Sequence, residues 1–176
     1  MKKNLIIVTG INILFAGALV FIYSLIPATA YVDTNKLFNE FQLKKELELT
    51  LSNVKNQRKQ ILDSLELQLN VLSGQLNGKK ALSAGDKETF ASLREEYFYK
   101  KKQFDEDNEA LTQKYNQQIF QQLNQYIQDY SKEEGYDYVF GAEGSGALMA
   151  ASEKKNITEE VLSFINLKYQ GADNGK

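Results

Sequence analysis

The chain has no cysteine and no histidine, and its 176 residues contain a single proline. Without cysteine there is no disulfide, no thiolate nucleophile and no thiolate zinc site. Without histidine the one side chain that ordinarily titrates near neutrality is missing, and His-based acid–base catalysis goes with it. Lack of cysteine does not fix the compartment, because an exported protein can carry no disulfide. Proline is absent after Pro27, so no proline breaks the hundred residues from Asn35 to Glu134.

What is present is ordinary in amount and uneven in placement. Charged residues make up 25% and apolar ones 43%, close to a soluble average. The length suits one domain of ordinary size. The apolar run stands at the start and the charge in the middle. Net charge is -2. Setting aside Lys2 and Lys3, which precede the apolar run, makes the remainder more acidic still. That balance argues against nucleic acid as a partner.

Met1-Lys2-Lys3-Asn4 is a short basic start, and Leu5 to Ile26 is uncharged and mostly apolar. Pro27-Ala28-Thr29-Ala30 follows and ends in an A-x-A pattern. Two readings compete. A spanning helix needs about 20 apolar residues, which the run supplies. A cleaved signal peptide has a shorter apolar stretch and a small-residue cleavage site, which Ala28 and Ala30 supply. Cleavage after Ala30 would shorten the strand expected next. The expectation is therefore an uncleaved helix tethering the protein to the inner membrane through residues 5–26. The alternative is a soluble periplasmic protein cut near Ala30. In both, the lysines stay cytoplasmic and the rest is exported.

Ala30 to Thr34 is β-branched and aromatic and reads as a strand. Asp33 or Thr34 can cap the helix that follows. Leu37, Phe38 and Phe41 give that helix an apolar start. Leu47, Leu51, Val54, Ile61, Leu65, Leu69, Leu72 and Leu76 then recur every three or four positions, with Arg58 in a skipped place. This is close to the 3.5-residue repeat of a coiled coil, slipping at Ile61–Leu65–Leu69, where two steps of four follow one another. A helix from Asn35 to Leu76 would be roughly 60 Å long.

Gly74, Gly78 and Gly85 mark a break, with a mildly basic tip at about 74–86 and Ser83 or Asp86 as the next cap. The return stripe is Phe90, Leu93, Tyr97, Phe104, Leu111, Tyr115, Ile119, Leu123, Tyr126 and Tyr130, with Asn108 in a skipped place. Gly135 is the expected residue just past the helix end. Two such helices joined by a short loop pack antiparallel. The charged blocks between the stripe positions read as a solvated face. Leu67, Phe98, Phe120 and Ile127 lie off the main seam. They are either scattered surface residues or contacts for a third surface, meaning another chain or a client.

Tyr138 to Ala142 reads as a second strand, Glu143-Gly-Ser-Gly146 as a turn, and Ala147 to Ala151 as a third strand completing an antiparallel hairpin. Gly144-Ser145-Gly146 has neither the lysine of a phosphate loop nor the pattern of a hydrolase elbow. Ser145 would also have no histidine base. Nothing supports an enzyme, a cofactor or a metal site. Thr158 is the expected cap of a last helix whose apolar face is Val161, Leu162, Ile165 and Tyr169. Residues 171–176 read as a tail. A head of three short strands is marginal alone, so an oligomer is expected.

The order A-Y-V-D-T, then L-F, a long charged helical excursion, G-Y-D-Y-V-F-G, a small-residue strand and N-I-T-E-E-V-L-x-F-I-N resembles the periplasmic chaperone family called Skp or OmpH. The resemblance covers residues 30–170. It implies a homotrimer whose strands form a β-barrel head, with helical arms around a cavity that holds unfolded outer-membrane proteins. By position it assigns the head strands to Tyr31–Asp33, Tyr138–Ala142 and Ala147–Ala151. Two departures stand out. Free chaperones of the family are basic, whereas this exported part is acidic. A membrane anchor would also tether a protein that in those relatives diffuses freely.

The expected fold is α+β: a long antiparallel α-helical coiled-coil hairpin arm on a small β head that trimerises into a barrel, plus a short C-terminal helix. Residues 1–29 are the signal-anchor or signal peptide. The head is 30–34 with 135–170, and the arm is 35–134. Expected trimer-head residues are Tyr31, Val32, Val139, Phe140, Leu148 and Met149. Expected client-binding residues are Phe98, Phe104, Phe120 and Ile127. The expected function is an ATP-independent periplasmic holdase for unfolded outer-membrane β-barrel proteins. The alternative is an envelope adaptor whose arm docks one fixed partner.

Overall fold

A computed structural model of the chain describes residues 2–78, 83–143 and 148–173, with side chains over 11–76, 83–143 and 148–171. In chain order come α1 (Lys2–Ser24), β1 (Thr29–Asp33), α2 (Thr34–Glu40), α3 (Gln42–Gly78), α4 (Ala84–Glu134), β2 (Tyr138–Ala142), a 3-10 turn at Glu153–Lys155, and α5 (Thr158–Asp173). They form two compact units, Met1–Leu37 with Leu123–Lys176, and Phe38–Gln122.

In the first unit β1 and β2 pair in parallel, Thr29 opposite Tyr138 and Asp33 opposite Ala142. Parallel strands require a long crossover, and the chain between these two supplies it. On its other edge β1 meets Asn156, and the Ile157 N–H donates to the Tyr31 carbonyl at 3.0 Å. α5 packs against β1, and its Val161 and Ile165 are fully buried, as are Val32 and Leu37. Leu162 is buried and Tyr169 half-buried, completing the apolar face read from the spacing.

The expected antiparallel hairpin does not form. Leu148 to Ala151 belong to no strand, and residues 144–147 lie outside the described residues. An extended segment becomes a strand only where its N–H and C=O groups find a ladder; β2 pairs with β1 on one edge, and among the described residues nothing pairs on its other. The caps sort out in detail. Asp33, rather than Thr34, caps α2, its carboxylate accepting from the Lys36 N–H at 2.9 Å. The Thr34 hydroxyl donates instead to the Ala142 carbonyl at 3.3 Å. Thr158 is buried and does not cap α5 with its own hydroxyl. That hydroxyl accepts from the Asp33 N–H at 2.9 Å, while the Asn156 side chain accepts from the Thr158 N–H at 3.1 Å. Gly135 ends α4 as expected, at φ 75°, with the Tyr136 N–H closing onto the Ser131 carbonyl at 2.9 Å. Gly171 falls inside α5, so the tail begins later than expected.

Among the described residues no helix is long and apolar enough to cross a membrane. The expectation of a spanning helix over 5–26 rests in part on residues 5–10, whose side chains lie outside those described. From Ile11 to Ile26 every side chain is exposed.

In the second unit the first arm helix is not continuous: α2 ends at Glu40 and α3 starts at Gln42, with Phe41 between them completely buried. No glycine or proline announces this interruption. The break between the long helices is shorter than its glycines suggest. Gly74 and Gly78 lie in α3 and Gly85 in α4, while the tip lysines Lys79 and Lys80 lie outside the described residues. An interior glycine costs a helix about 1 kcal/mol relative to alanine, which flanking residues such as Leu72 and Leu76 can offset. Ser83, rather than Asp86, caps α4, its hydroxyl accepting from the Asp86 N–H at 3.1 Å.

The inner stripe of α4 is the one read from the sequence; each of its residues is half-buried or buried. That of α3 differs at one position. Ile61 is 44% exposed and Leu62 takes the inner place ahead of buried Leu65. The two successive steps of four therefore fall at Val54–Arg58–Leu62 and are centred on Arg58. There the side chains of α3 and α4 meet. The Arg58 guanidinium donates to the Asn108 side-chain oxygen, lies 3.4 Å from the Asp107 carboxylate, and stands 5.5 Å from the centre of the Phe104 ring. The two polar residues that interrupt the apolar stripes are thus each other's partners.

Candidate binding surfaces

Phe98 stands 54% exposed on α4, its ring edge-on to Tyr97 at 5.5 Å and covered on one side by Arg94 at 5.6 Å. Helical spacing explains the exposure: Tyr97 takes the inner stripe, and one residue further on is about 100° away. Phe90, Ala91, Arg94, Glu95 and Phe98 line a shallow depression on this face. Tyr99 beside it is also exposed, and sequence reasoning overlooked it. Phe120 is 49% exposed but stacks on Phe38 with ring centres 4.8 Å apart. Phe104 is half-buried beside Arg58, and Leu67 is exposed.

The other expected residues lie in the first unit. Tyr31 is half-buried opposite Phe140, and its hydroxyl donates to Glu153 at 3.2 Å. Val32 is buried within the protomer, Val139 and Leu148 are half-buried, and Met149 is 81% exposed. Phe140 is 48% exposed and stacks at 6.3 Å on Tyr138, which sequence reasoning passed over. The signal was available, since residues two apart on a strand share a face. Ile127 is half-buried in a groove of about 480 Å³ formed with Lys132, Tyr136, Tyr138 and Phe140. β2 therefore shows aromatic side chains to the outside for most of its length. This is unusual for a strand in a two-stranded sheet that must bury apolar surface to persist.

Behind this groove α4 and α5 are joined by charge. Lys168 donates to Glu133 at 2.8 Å, lies 3.6 Å from Asp129, and sits over the Phe164 ring at 4.6 Å. The hydrogen bond to Glu133 chiefly raises the Lys168 pKa. Desolvation raises that of Tyr126, with Lys168 opposing and Asp129 adding to it. It also raises that of Tyr130, which packs edge-on to Phe164 at 5.2 Å. These contacts tie α4 to α5 within the first unit.

Comparison with known proteins fits this geometry. A structure described as an outer membrane chaperone (OmpH-like) from Caulobacter crescentus CB15 superposes with a TM-score of 0.67 at 17% identity, over 81% of this chain and 86% of that one. At that identity the likeness speaks for the fold. No curated protein matches the chain. The family model for outer membrane protein (OmpH-like) matches residues 28–165, from the start of β1 into α5. The chain belongs to the OmpH-like family.

Proposed function

We propose that the protein is an ATP-independent periplasmic holdase that binds unfolded outer-membrane β-barrel proteins. The family supports a periplasmic, chaperone-like role. The finer reading rests chiefly on Phe98, an aromatic ring left 54% exposed on a helix whose inner stripe is already filled. A helix that has satisfied its partner yet keeps large rings outside is suited to transient apolar contacts. Many modest contacts can hold a client that stays mobile, because such a client loses less conformational entropy. In this reading α3 and α4 form an antiparallel coiled-coil hairpin. The exposed faces of Tyr138, Phe140 and Met149 are covered when three protomers join their strands into one head, and the arms enclose a cavity. Phe98, Phe104, Phe120 and Ile127 are the proposed client contacts. The apolar run 5–26 is proposed to tether the head to the inner membrane, on the strength of its uncharged length.

The test is refolding of a denatured porin, followed by light scattering, with the full-length protein at stoichiometric trimer. Aggregation should be suppressed, and Phe98→Ser should weaken suppression several-fold while leaving the Tm unchanged. No suppression by the wild-type protein would sink the holdase reading. Co-purification of one defined envelope protein, instead of a mixture of unfolded ones, would support the adaptor reading in its place.

A further inference from the structure

The small-residue pattern Ala28-Thr29-Ala30 is built into the head. Ala28 makes three hydrogen bonds to the start of β2. Its N–H donates to the Asp137 carboxylate at 2.6 Å, and its carbonyl accepts from the N–H groups of Asp137 at 2.9 Å and Tyr138 at 3.2 Å. Thr29 and Ala30 then pair with Tyr138 and Val139, and Ala30 is only 3% exposed. These residues account for the first two pairs of the β1–β2 register and for the clasp ahead of it. Hydrolysis after Ala30 would remove all of this. It would also place a charged α-amino group on Tyr31, next to buried Val32.

We propose that Ala28–Ala30 are permanent parts of the folded head, so that the bond after Ala30 is not a processing site. A chain that began at Tyr31 would have to fold without the Ala28 clasp and without the first two pairs of the β1–β2 register. The consequence is mechanical. Two residues, Leu25 and Ile26, and Pro27 separate α1 from the clasp at Ala28, so whatever surface holds α1 lies close to the head. This rests on the reading of export, and the experiment separates the two.

The full chain, carrying a C-terminal tag, is produced in a Gram-negative host, and the envelope-bound protein is analysed by intact mass and N-terminal sequencing. Every molecule should retain Ala28–Ala30; a mature N-terminus at Tyr31 would overturn the proposal. Independently, Asp137→Ala in the full chain should lower the Tm by several degrees. It should also speed hydrogen exchange at the Asp137 and Tyr138 amides, relative to wild type. An unchanged Tm with unchanged exchange would also overturn it. If export itself fails, the protein is recovered from the cytoplasm, and the exchange measurement on that material still decides whether the strand includes Ala28–Ala30.

Discussion

Gly141 sits in β2 with its α-carbon facing Thr34, so that a β-carbon added there would lie 2.8 Å from the Thr34 methyl group. Thr34 in turn is fixed, because its hydroxyl bonds the Ala142 carbonyl next door. The two residues therefore define how closely the end of β2 approaches the start of α2. Gly141→Ala should destabilise by about 1–3 kcal/mol, the usual range for overpacking. Adding Thr34→Ser, which removes the methyl and keeps the hydroxyl, should restore most of the loss. Chemical denaturation of the two variants and the pair checks this. Equal destabilisation in the single and double variants would show that the close approach is not the cause. None of it was legible beforehand: the glycine sits inside a strand pattern, and sequence cannot say what stands opposite.

Among elements, the long helices show how polar residues in an apolar stripe can be read. Arg58 and Asn108 were visible as interruptions, each in a skipped stripe position. Only the fold puts them together, with Asp107 and Phe104 completing the layer. A hydrogen bond to a charged group contributes about 1.5–3 kcal/mol, so Arg58→Ala should cost on the order of 1–2 kcal/mol after solvent replaces part of it. A double-mutant cycle with Asn108→Ala should return a coupling of at least about 0.5 kcal/mol. Additive effects would mean that the contact carries no energy. The misplaced residue, Ile61, has a physical explanation. Ile61 and Leu62 are adjacent and equally apolar, so the stripe can be continued through either. The choice depends on the local winding of the helix around Arg58, which spacing alone leaves open. Two of the caps were similarly ambiguous in sequence: Asp33 and Thr34 were both available for α2, Ser83 and Asp86 for α4, and side-chain direction chose between them.

At the scale of the whole molecule, the lack of histidine predicts a flat response of stability to pH across neutrality, and the first unit predicts where it ends. Tyr126 and Tyr130 hold their protons more tightly when folded, mainly through desolvation. Above the ordinary phenol value of about 10 the unfolded chain ionises first, so stability falls as pH rises. Lys168 acts in the same direction. Its raised pKa favours the charged form in the fold, a contribution present below the ordinary lysine value and lost as pH climbs through the raised one. Thermal unfolding should therefore show a plateau from about pH 6 to 9 and a decline above about 10. Tyr126→Phe should flatten the decline, and a decline already complete below pH 9 would contradict the assignment.

The sequence by itself determined the periodic parts. Two long helices, the strand at Tyr138–Ala142, the glycine stop at Gly135 and the apolar face of the last helix all follow from short-range rules that act along the chain. The aromatic residues outside the stripes were legible for the same reason, because a known helical period fixes which positions are left over. Strand pairing was decided by tertiary structure. A strand's partner depends on which backbone groups lie beside it after the chain has returned, and the sequence around Gly144 argued for a local hairpin where the fold uses β1, more than a hundred residues away. That choice also turned Ala28–Ala30, which in sequence resemble the end of a leader, into the paired opening of the first strand.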